Sequence, residues 1–344
     1  MEGTPVHWFD YELPKDLIAS HPVHPRDGCR LMVMDRGSGK RTHGLFKELP
    51  QRLSAGDVLV LNDSAVMKAR LRGYRKDTGG NVECLLLEEQ LDGSYLCLAR
   101  PARRLRAGQR LLFKEVEAEV VEERGETLRI VRFLDTQPGT QLLERLGEMP
   151  LPPYIGRPVE PRDEEDYQCI YAKTPGSVAA PTAGLHFTSS LLGDLEKKGV
   201  EFIWVTLHVG MGTFLPIRTR RLEEHRMHEE RYSVSKEAAK RLDRAVKEDR
   251  RIIAVGTTVV RVLESIDEQE GTLSSCKGRT SLFIRPGYRF KRVHGLLTNF
   301  HLPRSTLLVL VSAFAGRNET LEAYKDAVSR GYRFYSYGDA MLIL

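Results

Sequence analysis

Six short runs decide how this chain is organised: VMKARLRG (66–73), NVECLLLEE (81–89), SYLCLAR (94–100), QRLLF (109–113), AEVVEE (118–123) and TLRIVRF (127–133). Between them stand TGGN (78–81), LDGS (91–94), AGQ (107–109) and ERGE (123–126), each a glycine-bearing polar turn. Strand-length apolar runs at regular spacing, with no helical stripe among them, predict a small antiparallel barrel or sandwich. The texture starts at Ser64 and fades near Asp135. It reads as an inserted β-barrel domain over 64–135, set into a discontinuous main domain over 1–63 and 136–344.

On both sides of the insert, strands and helices alternate. LMVMD (31–35) and DVLVLN (57–62) read as buried strands, and LFKELPQRL (45–53) as a short helix broken at Pro50. SSLLGDLEKKG (189–199) has Thr188 or Ser189 as its cap and Gly199 as its stop, and VEFIWVTLH (200–208) is strand-like. Ser235 heads a helix with an apolar stripe of Ala238, Ala239, Leu242, Ala245 and Val246. RIIAVG (251–256) predicts a strand and TVVRVLESI (258–266) a helix. LLVLVSAFA (307–315) is a buried helix or strand, too short to span a bilayer. Asn318 caps a last helix with Leu321, Tyr324 and Val328 inward, and YRFYSYGDAMLIL (332–344) ends the chain as strand. The expected class is α/β with mixed α+β character.

Composition narrows the setting. Of 344 residues, 41% are hydrophobic and 29% charged, enough apolar surface for a core and too much for wholesale disorder. The net charge of +5, from 52 basic and 47 acidic residues, permits nucleic acid without demanding it. Five scattered cysteines (Cys29, Cys84, Cys97, Cys169 and Cys276) form no CxxC pair, which argues against a disulfide framework or cysteine zinc site. The opening MEGTPVHWFDYELP carries no basic-then-apolar export signal. A cytoplasmic monomer without membrane contact is expected.

Five segments of the main domain could carry chemistry. PGSVAAPTAGLHFTSS (175–190) is small-residue rich and runs into a helix N-terminus, where free N–H groups attract an anion. Gly184, His186 and Thr188 would face that ligand, or else the segment is a loop with a cap and a packed histidine. TLHVGMGTFLPI (206–217) delivers His208 at a strand end into a loop with Gly210, Gly212 and Thr213, the usual ligand position in open α/β sheets. Its GMG lacks the third glycine of a dinucleotide fingerprint. LEEHRMHEERYSV (222–234) holds His225 and His228 among glutamates, but without HExxH order or a third ligand nearby, so no metal is expected. AVGTTVVRVLES (254–265) is a strand–loop–helix cradle with Thr257, Thr258 and Arg261, or ordinary capping. LLTNFHLPRSTLL (296–308) packs Asn299, His301 and Arg304 between apolar runs, where buried polar groups need partners.

The insert adds RPARRLRAGQR (100–110), with Arg100, Arg103, Arg104 and Arg106 among its five arginines. Arg70, Arg72, Arg75 and Lys76 could lie on neighbouring strands. Guanidinium forks suit phosphate oxygens, so this module is read as the RNA-facing one; a solvated face is the alternative.

Together GSVAAPTAGLHFT, VTLHVGMGTF, HRMHEE, VGTTVVRVLE, TNFHLPRSTL, VSAFAG and YRFYSYGDAM resemble the S-adenosylmethionine:tRNA ribosyltransferase-isomerases of queuosine biosynthesis. FDYELP (9–14), TGGNVECLLLE (78–88), RPARRL (100–105) and LPPYI (151–155) extend the likeness in order over nearly the whole chain. The resemblance implies an α/β domain with a β-barrel insert. It also implies a reaction on tRNA carrying 7-aminomethyl-7-deazaguanine at the wobble position. The ribosyl group of S-adenosylmethionine is transferred and isomerised to an epoxycyclopentanediol, with adenine and methionine released. S-adenosylmethionine is then a cosubstrate and no other cofactor is expected. In this reading His186, His208 and His228 supply acid–base groups, neutral imidazole being suited to removing a proton next to sulfonium. Gly184, Thr188, Gly210, Gly212, Thr213, Thr257, Thr258, Arg261, Asn299 and His301 hold the cosubstrate, its carboxylate near a helix N-terminus or Arg261.

Two other functions compete with this one. A non-catalytic RNA-binding protein explains the arginines but not the polar loops elsewhere. An S-adenosylmethionine-dependent methyltransferase would need a glycine-rich first strand–helix turn, and MDRGSGKRTHG (34–44) is a poor match.

Overall fold

A computed structural model of the chain describes residues 3–135, 139–210, 216–266, 268–269 and 272–344. In chain order the main-domain strands are β1 (Arg30–Met34), β2 (Arg41–Leu45), β3 (Val58–Asn62) and β4 (Ser64–Val66). The next six are β5 (Arg70–Arg75), β6 (Asn81–Glu89), β7 (Tyr95–Arg100), β8 (Arg110–Phe113), β9 (Val116–Arg124) and β10 (Leu128–Phe133). After them come β11 (Thr174–Ser177), β12 (Glu201–Leu207), β13 (Glu230–Val234) and β14 (Ile252–Val255). The last are β15 (Glu268–Gln269), β16 (Thr272–Leu273), β17 (Cys276–Thr280), β18 (Gly295–Asn299) and β19 (Ala340–Ile343). The helices are α1 (Leu49–Arg52), α2 (Gly139–Leu146), α3 (Asp163–Asp166), α4 (Ser189–Lys197), α5 (Lys236–Lys247), α6 (Thr257–Ser265), α7 (Thr306–Ala315) and α8 (Arg317–Ser329).

A nine-stranded sheet runs β17-β13-β12-β3-β14-β18-β19-β1-β2. Its centre, β12-β3-β14-β18, is parallel. Strand alternation sorts the side chains onto two faces. Val58, Val60, Ile203, Val205, Ile252 and Ala254 pack with the apolar stripes of α5 to α8. Leu59, Leu61, Ile253 and Val255 pack on the opposite side with Phe46, Leu49, Phe187, Leu191 and Leu195. Cover on both faces explains why β3 reads as an unbroken apolar run rather than an alternating one.

The six strands β5 to β10 close into an antiparallel barrel, in the order β10-β7-β6-β5-β8-β9. The barrel alternative is thus realised, not the sandwich. Helix α2 adds Leu142, Leu143 and Leu146 to the barrel's core. Strand β4, which leaves the central sheet for the barrel, pairs in parallel with β11. A second tie is the ion pair of barrel residue Glu88 with Arg279 of β17 at 2.5 Å.

Four local expectations change. Val246, expected on the inward stripe of α5, is 44% exposed. Pro50 does not break a helix but sits in the first turn of α1, where a proline lacks no needed N–H. Helix α8 starts after Gly316, without a side-chain cap from Asn318; Tyr324 is inward as expected and Val328 packs half-buried on the same core, but Thr320, Ala323 and Ala327, not Leu321, complete the inward face. Only Ala340–Ile343 of the last segment is strand; Tyr332–Asp339 runs through a turn held by Gly338 N–H to the Tyr335 carbonyl.

Candidate active site

The parallel strands end together, and the motif loops leave from those ends. Asn62 closes β3 and is 1% exposed. Its side chain donates to the Leu207 carbonyl and accepts from Leu207 N–H, stitching β3 to β12 beyond their last pair. That fixes the next residues on both strands: Asp63 and Ser64 on one, His208 on the other.

His208 is half-buried, and its Nδ1 lies 2.9 Å from Ser64 Oγ. Ser64 Oγ is 2.6 Å from Ser177 Oγ and 3.5 Å from the Thr174 carbonyl, and Ser177 Oγ accepts from Val209 N–H. Donation of the Ser64 proton to Thr174 leaves the His208 proton on Nδ1 and Nε2 as acceptor. Donation to Nδ1 instead makes Nε2 the donor. The direction of the Ser64 hydroxyl therefore selects which neutral tautomer is hydrogen-bonded, one with Nε2 as acceptor and the other with Nε2 as donor, while the ring proton itself is exchanged through solvent or substrate. Burial, with Arg231 adding to it, pushes the His208 pKa down to about 4, so the ring is neutral near pH 7. Among the described residues Nε2 has no hydrogen-bond partner. Gly176 has φ +144°, and a β-carbon there would stand 2.5 Å from the His208 ring, so only glycine fits behind it.

A second cluster surrounds Asn299. Its Oδ1 accepts from the Thr182 hydroxyl at 2.9 Å, and its Nδ2 donates to the Tyr335 carbonyl and to His186 Nε2, each at 3.0 Å. His186 Nε2 is thus an acceptor, and its Nδ1 proton faces Cys29 Sγ at 3.3 Å. The ring is 4% exposed, and burial, helped by Arg333 and Arg26, pushes its pKa down to about 3. Both nitrogens are occupied, so His186 orients Asn299 rather than facing a ligand. His301 Nε2 bonds Thr298 Oγ1 at 2.9 Å, and burial lowers its pKa to about 3.

Two adjoining cavities of about 20 Å³ each meet at Thr182, Asn299, His301 and Leu307. Thr257 and Thr258 line one, Tyr154 and Tyr335 the other. The hydroxyls of Thr258 and Tyr335 are buried and without hydrogen-bond partners among the described residues. A buried unsatisfied hydroxyl costs free energy until a ligand or water reaches it. Tyr335 is also held at φ +72°, a strained backbone region for a residue with a side chain.

Other expected site residues have different partners. Thr188 caps α4 by accepting from Leu191 N–H and donates to Asp27 Oδ2 at 2.7 Å. Gly184 is buried with its Cα against the Tyr171 hydroxyl and Cys169 Sγ, a packing role rather than a backbone approach for ligand. Arg261 is 2% exposed and spent inside the protein. It pairs with Glu230 and donates to the carbonyls of Leu282 and Thr280, which corrects its reading as a carboxylate anchor. Glu230 accepts in turn from Gly210 N–H at 2.9 Å, so the pair fastens the start of the glycine loop. Gly212 and Thr213 lie outside the described residues. His228 is exposed and apart from these clusters, while His225 packs edge-on to Phe283 at 5.3 Å. Among the described residues no group of three or more His, Cys, Asp or Glu side chains is placed to hold a metal ion.

On the barrel most cations are engaged. Arg70 donates to the Leu151 carbonyl, Arg72 pairs with Glu83 and Glu148, and Lys76 with Glu117. Arg106 pairs with Glu123 at 2.9 Å. Arg100, Arg103 and Arg104 are exposed and, among the described residues, have no ion pair. Their loop is propped from beneath by buried Arg129, which donates to the carbonyls of Leu105 and Ala102.

The sequence reading passed over Ser64, Ser177, Thr182 and Tyr335, and took Glu230 only as one of the glutamates flanking His225 and His228. Ser64 had a signal: Asn-Asp-Ser directly after a fully apolar strand is a polar cluster at a strand's C-terminal end. Tyr335 had none, since its strain and unpaired hydroxyl exist only in the folded chain.

An open-sheet crevice with polar loops at its strand ends has the form of a small-molecule enzyme site, and the barrel beside it bears arginines that are unpaired among the described residues. Residues 6–343 match the family model described as queuosine biosynthesis protein, and the chain belongs to that family. It is 51% identical over 338 residues to the S-adenosylmethionine:tRNA ribosyltransferase-isomerase of Desulfitobacterium hafniense, covering 98% of each chain. It is equally similar, 51% over 338 residues and 98% of each chain, to the protein of that name from Carboxydothermus hydrogenoformans. The crystal structure of S-adenosylmethionine tRNA ribosyltransferase from Thermotoga maritima is 40% identical, with a TM-score of 0.57 over 98% of this chain and 100% of that one.

Proposed function

We propose that this protein transfers the ribosyl part of S-adenosylmethionine to 7-aminomethyl-7-deazaguanine at the wobble position of tRNA and isomerises it to the epoxycyclopentanediol of epoxyqueuosine. Adenine and methionine are the by-products. The observation that carries this reading is family membership over 6–343 with relatives at 51% identity across 98% of their length. S-adenosylmethionine is a cosubstrate, and no metal or redox cofactor takes part. The protein works as a cytoplasmic monomer; among the described residues no helix is long and apolar enough to cross a membrane.

The nucleoside part of the cosubstrate sits at the strand ends, where Thr257, Thr258, Asn299, His301 and Tyr335 meet. The unpartnered Thr258 and Tyr335 hydroxyls and the Asn299 network support this position. Cavities of about 20 Å³ hold roughly one water. Seating a nucleoside therefore requires the Ala180–Ala183 segment and the Tyr154–Tyr335 stack to part.

His208 acts as the acid–base group. The positive sulfur acidifies the protons of the 5′ carbon, and a neutral imidazole can take one. The Ser64–Ser177 chain sets its tautomer. His186 is a positioning residue for Asn299, and exposed His228 has no part in the chemistry. Adenine leaves C1′ with a proton on a ring nitrogen, the aminomethyl nitrogen gives one up, and sulfur departs as the neutral thioether of methionine. Arg100, Arg103 and Arg104 hold RNA phosphates, with Arg106 a weaker contributor because Glu123 already engages it.

The test is to incubate the protein with S-adenosylmethionine and tRNA bearing the aminomethyl base, then quantify small products. Adenine and methionine in equal amounts are expected. S-adenosylhomocysteine would assign it to the methyltransferases, and RNA binding without any product would make it a binding protein.

A further inference from the structure

Beside the His208 chain lies a cleft of about 740 Å³ that the strand-end crevice does not include. Its wall is Trp204 and Tyr171, with ring centroids 4.9 Å apart, and its floor is Asp63 with Thr206. Lys173, Lys236 and Lys277 stand on its rim. We propose that this cleft seats the target nucleotide of the RNA, with the base stacked on Trp204 and its guanine-type N–H edge donating to Asp63. The inference rests on the proposed function for the identity of the base.

Size comes first: the volume lies within the roughly 300–1,000 Å³ range of small-ligand sites. An enzyme acting on one base of a folded RNA must draw it out of its stack and offer it another π surface. Trp204 projects from β12 on the same face as Thr206 and His208, two and four residues on.

Charge decides which substrate fits. The three rim lysines are exposed and, among the described residues, none is in an ion pair, although Lys173 favours the charged form of Asp63 in the same cleft. Nearby Arg241, Arg244 and Arg250 instead share Glu201. S-adenosylmethionine carries a net positive charge and would be repelled by a lining in which three ammonium groups outnumber the single carboxylate, Asp63. A polyanion would be held.

Asp63 supplies the specificity. Its backbone is pinned, N–H to the Val205 carbonyl and its own carbonyl accepting from the N–H groups of Lys173 and Thr174. Its Oδ1 accepts from the Thr206 hydroxyl at 2.6 Å, leaving the second oxygen with no partner among the described residues. Guanine and its 7-deaza analogues present parallel N1–H and N2–H donors, which a carboxylate accepts as a pair; adenine presents an acceptor at N1 instead. Asp63 adjoins Ser64, and Thr174 on the cleft wall lies within 3.5 Å of the Ser64 hydroxyl. A base held here therefore neighbours His208. On β17, Lys277 of the rim and Arg279, tied to barrel Glu88, share one strand face, so the rim continues onto the barrel.

The chain has two tryptophans, so Trp8→Phe leaves Trp204 as the sole reporter. Trp8 is 47% exposed beneath the Arg317 guanidinium, away from the cleft. Titrating this variant with an anticodon stem-loop RNA carrying 7-aminomethyl-7-deazaguanine is expected to quench Trp204 saturably, and S-adenosylmethionine alone to leave it unchanged. Asp63→Asn, which swaps an acceptor for a donor, is expected to weaken that RNA about 10- to 100-fold while leaving a stem-loop with adenine at the same position unaffected. Exposed Lys277→Ala, which cannot disturb the core, is expected to weaken both RNAs alike and to lower the salt slope by about 1. Quenching by S-adenosylmethionine but not RNA, an unchanged salt slope in Lys277→Ala, or equal losses for both RNAs in folded Asp63→Asn would overturn the proposal. Normal adenine release with a silent Trp204 sinks this inference alone, whereas no adenine release from the wild type sinks the proposed function.

Discussion

The stability of this protein is expected to fall steeply between pH 6.5 and 5.5 because two site histidines are buried neutral. His186 and His301 are 4% and 7% exposed, and each is pushed down to about 3 by burial. In the unfolded chain both return to about 6.5. Below that value the unfolded state binds protons that the folded state refuses, so stability rises with pH and is lost on acidification. From pH 6.5 to 5.5 the cost is about 1 kcal/mol for each ring and about 2 kcal/mol for the pair, close to the limiting slope of about 1.4 kcal/mol per pH unit per proton. Carboxylates held low, such as Asp163 beside Arg157 and Tyr337, contribute stability that is lost only as pH falls below the ordinary carboxylate range, outside this window. Urea unfolding followed by far-UV circular dichroism at the two pH values measures the difference, to which His208, held near 4, adds with the same sign, and His301→Gln should remove about 1 kcal/mol of it. Equal stability at both pH values, or an undiminished slope in His301→Gln, would refute the claim that these rings are buried uncharged.

Gly176→Ala places a methyl group against the His208 ring and should lower kcat far more than it raises KM for S-adenosylmethionine, measured by adenine release. Arg261→Met strands the Glu230 carboxylate and should cost about 3–5 kcal/mol by denaturation, with Glu230→Gln in the same chain restoring part of the loss. Arg103→Ala and Arg104→Ala should each reduce the slope of log affinity for tRNA against log salt by about 1, whereas Arg106→Ala, already paired with Glu123, should reduce it less.

Much of the architecture was legible because local signals agreed with the fold. Barrel strands announced themselves through glycine turns, and Thr188, Ser235 and Gly199 marked helix limits through capping chemistry that is purely local. Pro50 misled because proline stops a helix in mid-course but suits its first turn, and sequence does not say which turn is first. Of the polar residues that meet at the strand ends, Thr258, Asn299 and His301 were reachable from sequence. Arg261 was not, because a helix N-terminal arginine looks the same whether it faces a ligand or, as here, Glu230 from a distant strand. Gly184 and Gly176 show the same limit: one glycine-rich segment contains both tight packing and the backing of His208, and only three-dimensional neighbours separate them.

The central claim is that neutral His208, tuned by Ser64, takes a proton from the sulfonium-activated 5′ carbon. S-adenosylmethionine carrying two deuterium atoms at that carbon tests it directly, with the modified tRNA nucleoside analysed by mass. The wild type should deliver product with one deuterium lost, and His208→Ala should bind the cosubstrate yet release no adenine. Product retaining both deuterium atoms, or near-normal turnover by folded His208→Ala, would contradict the account.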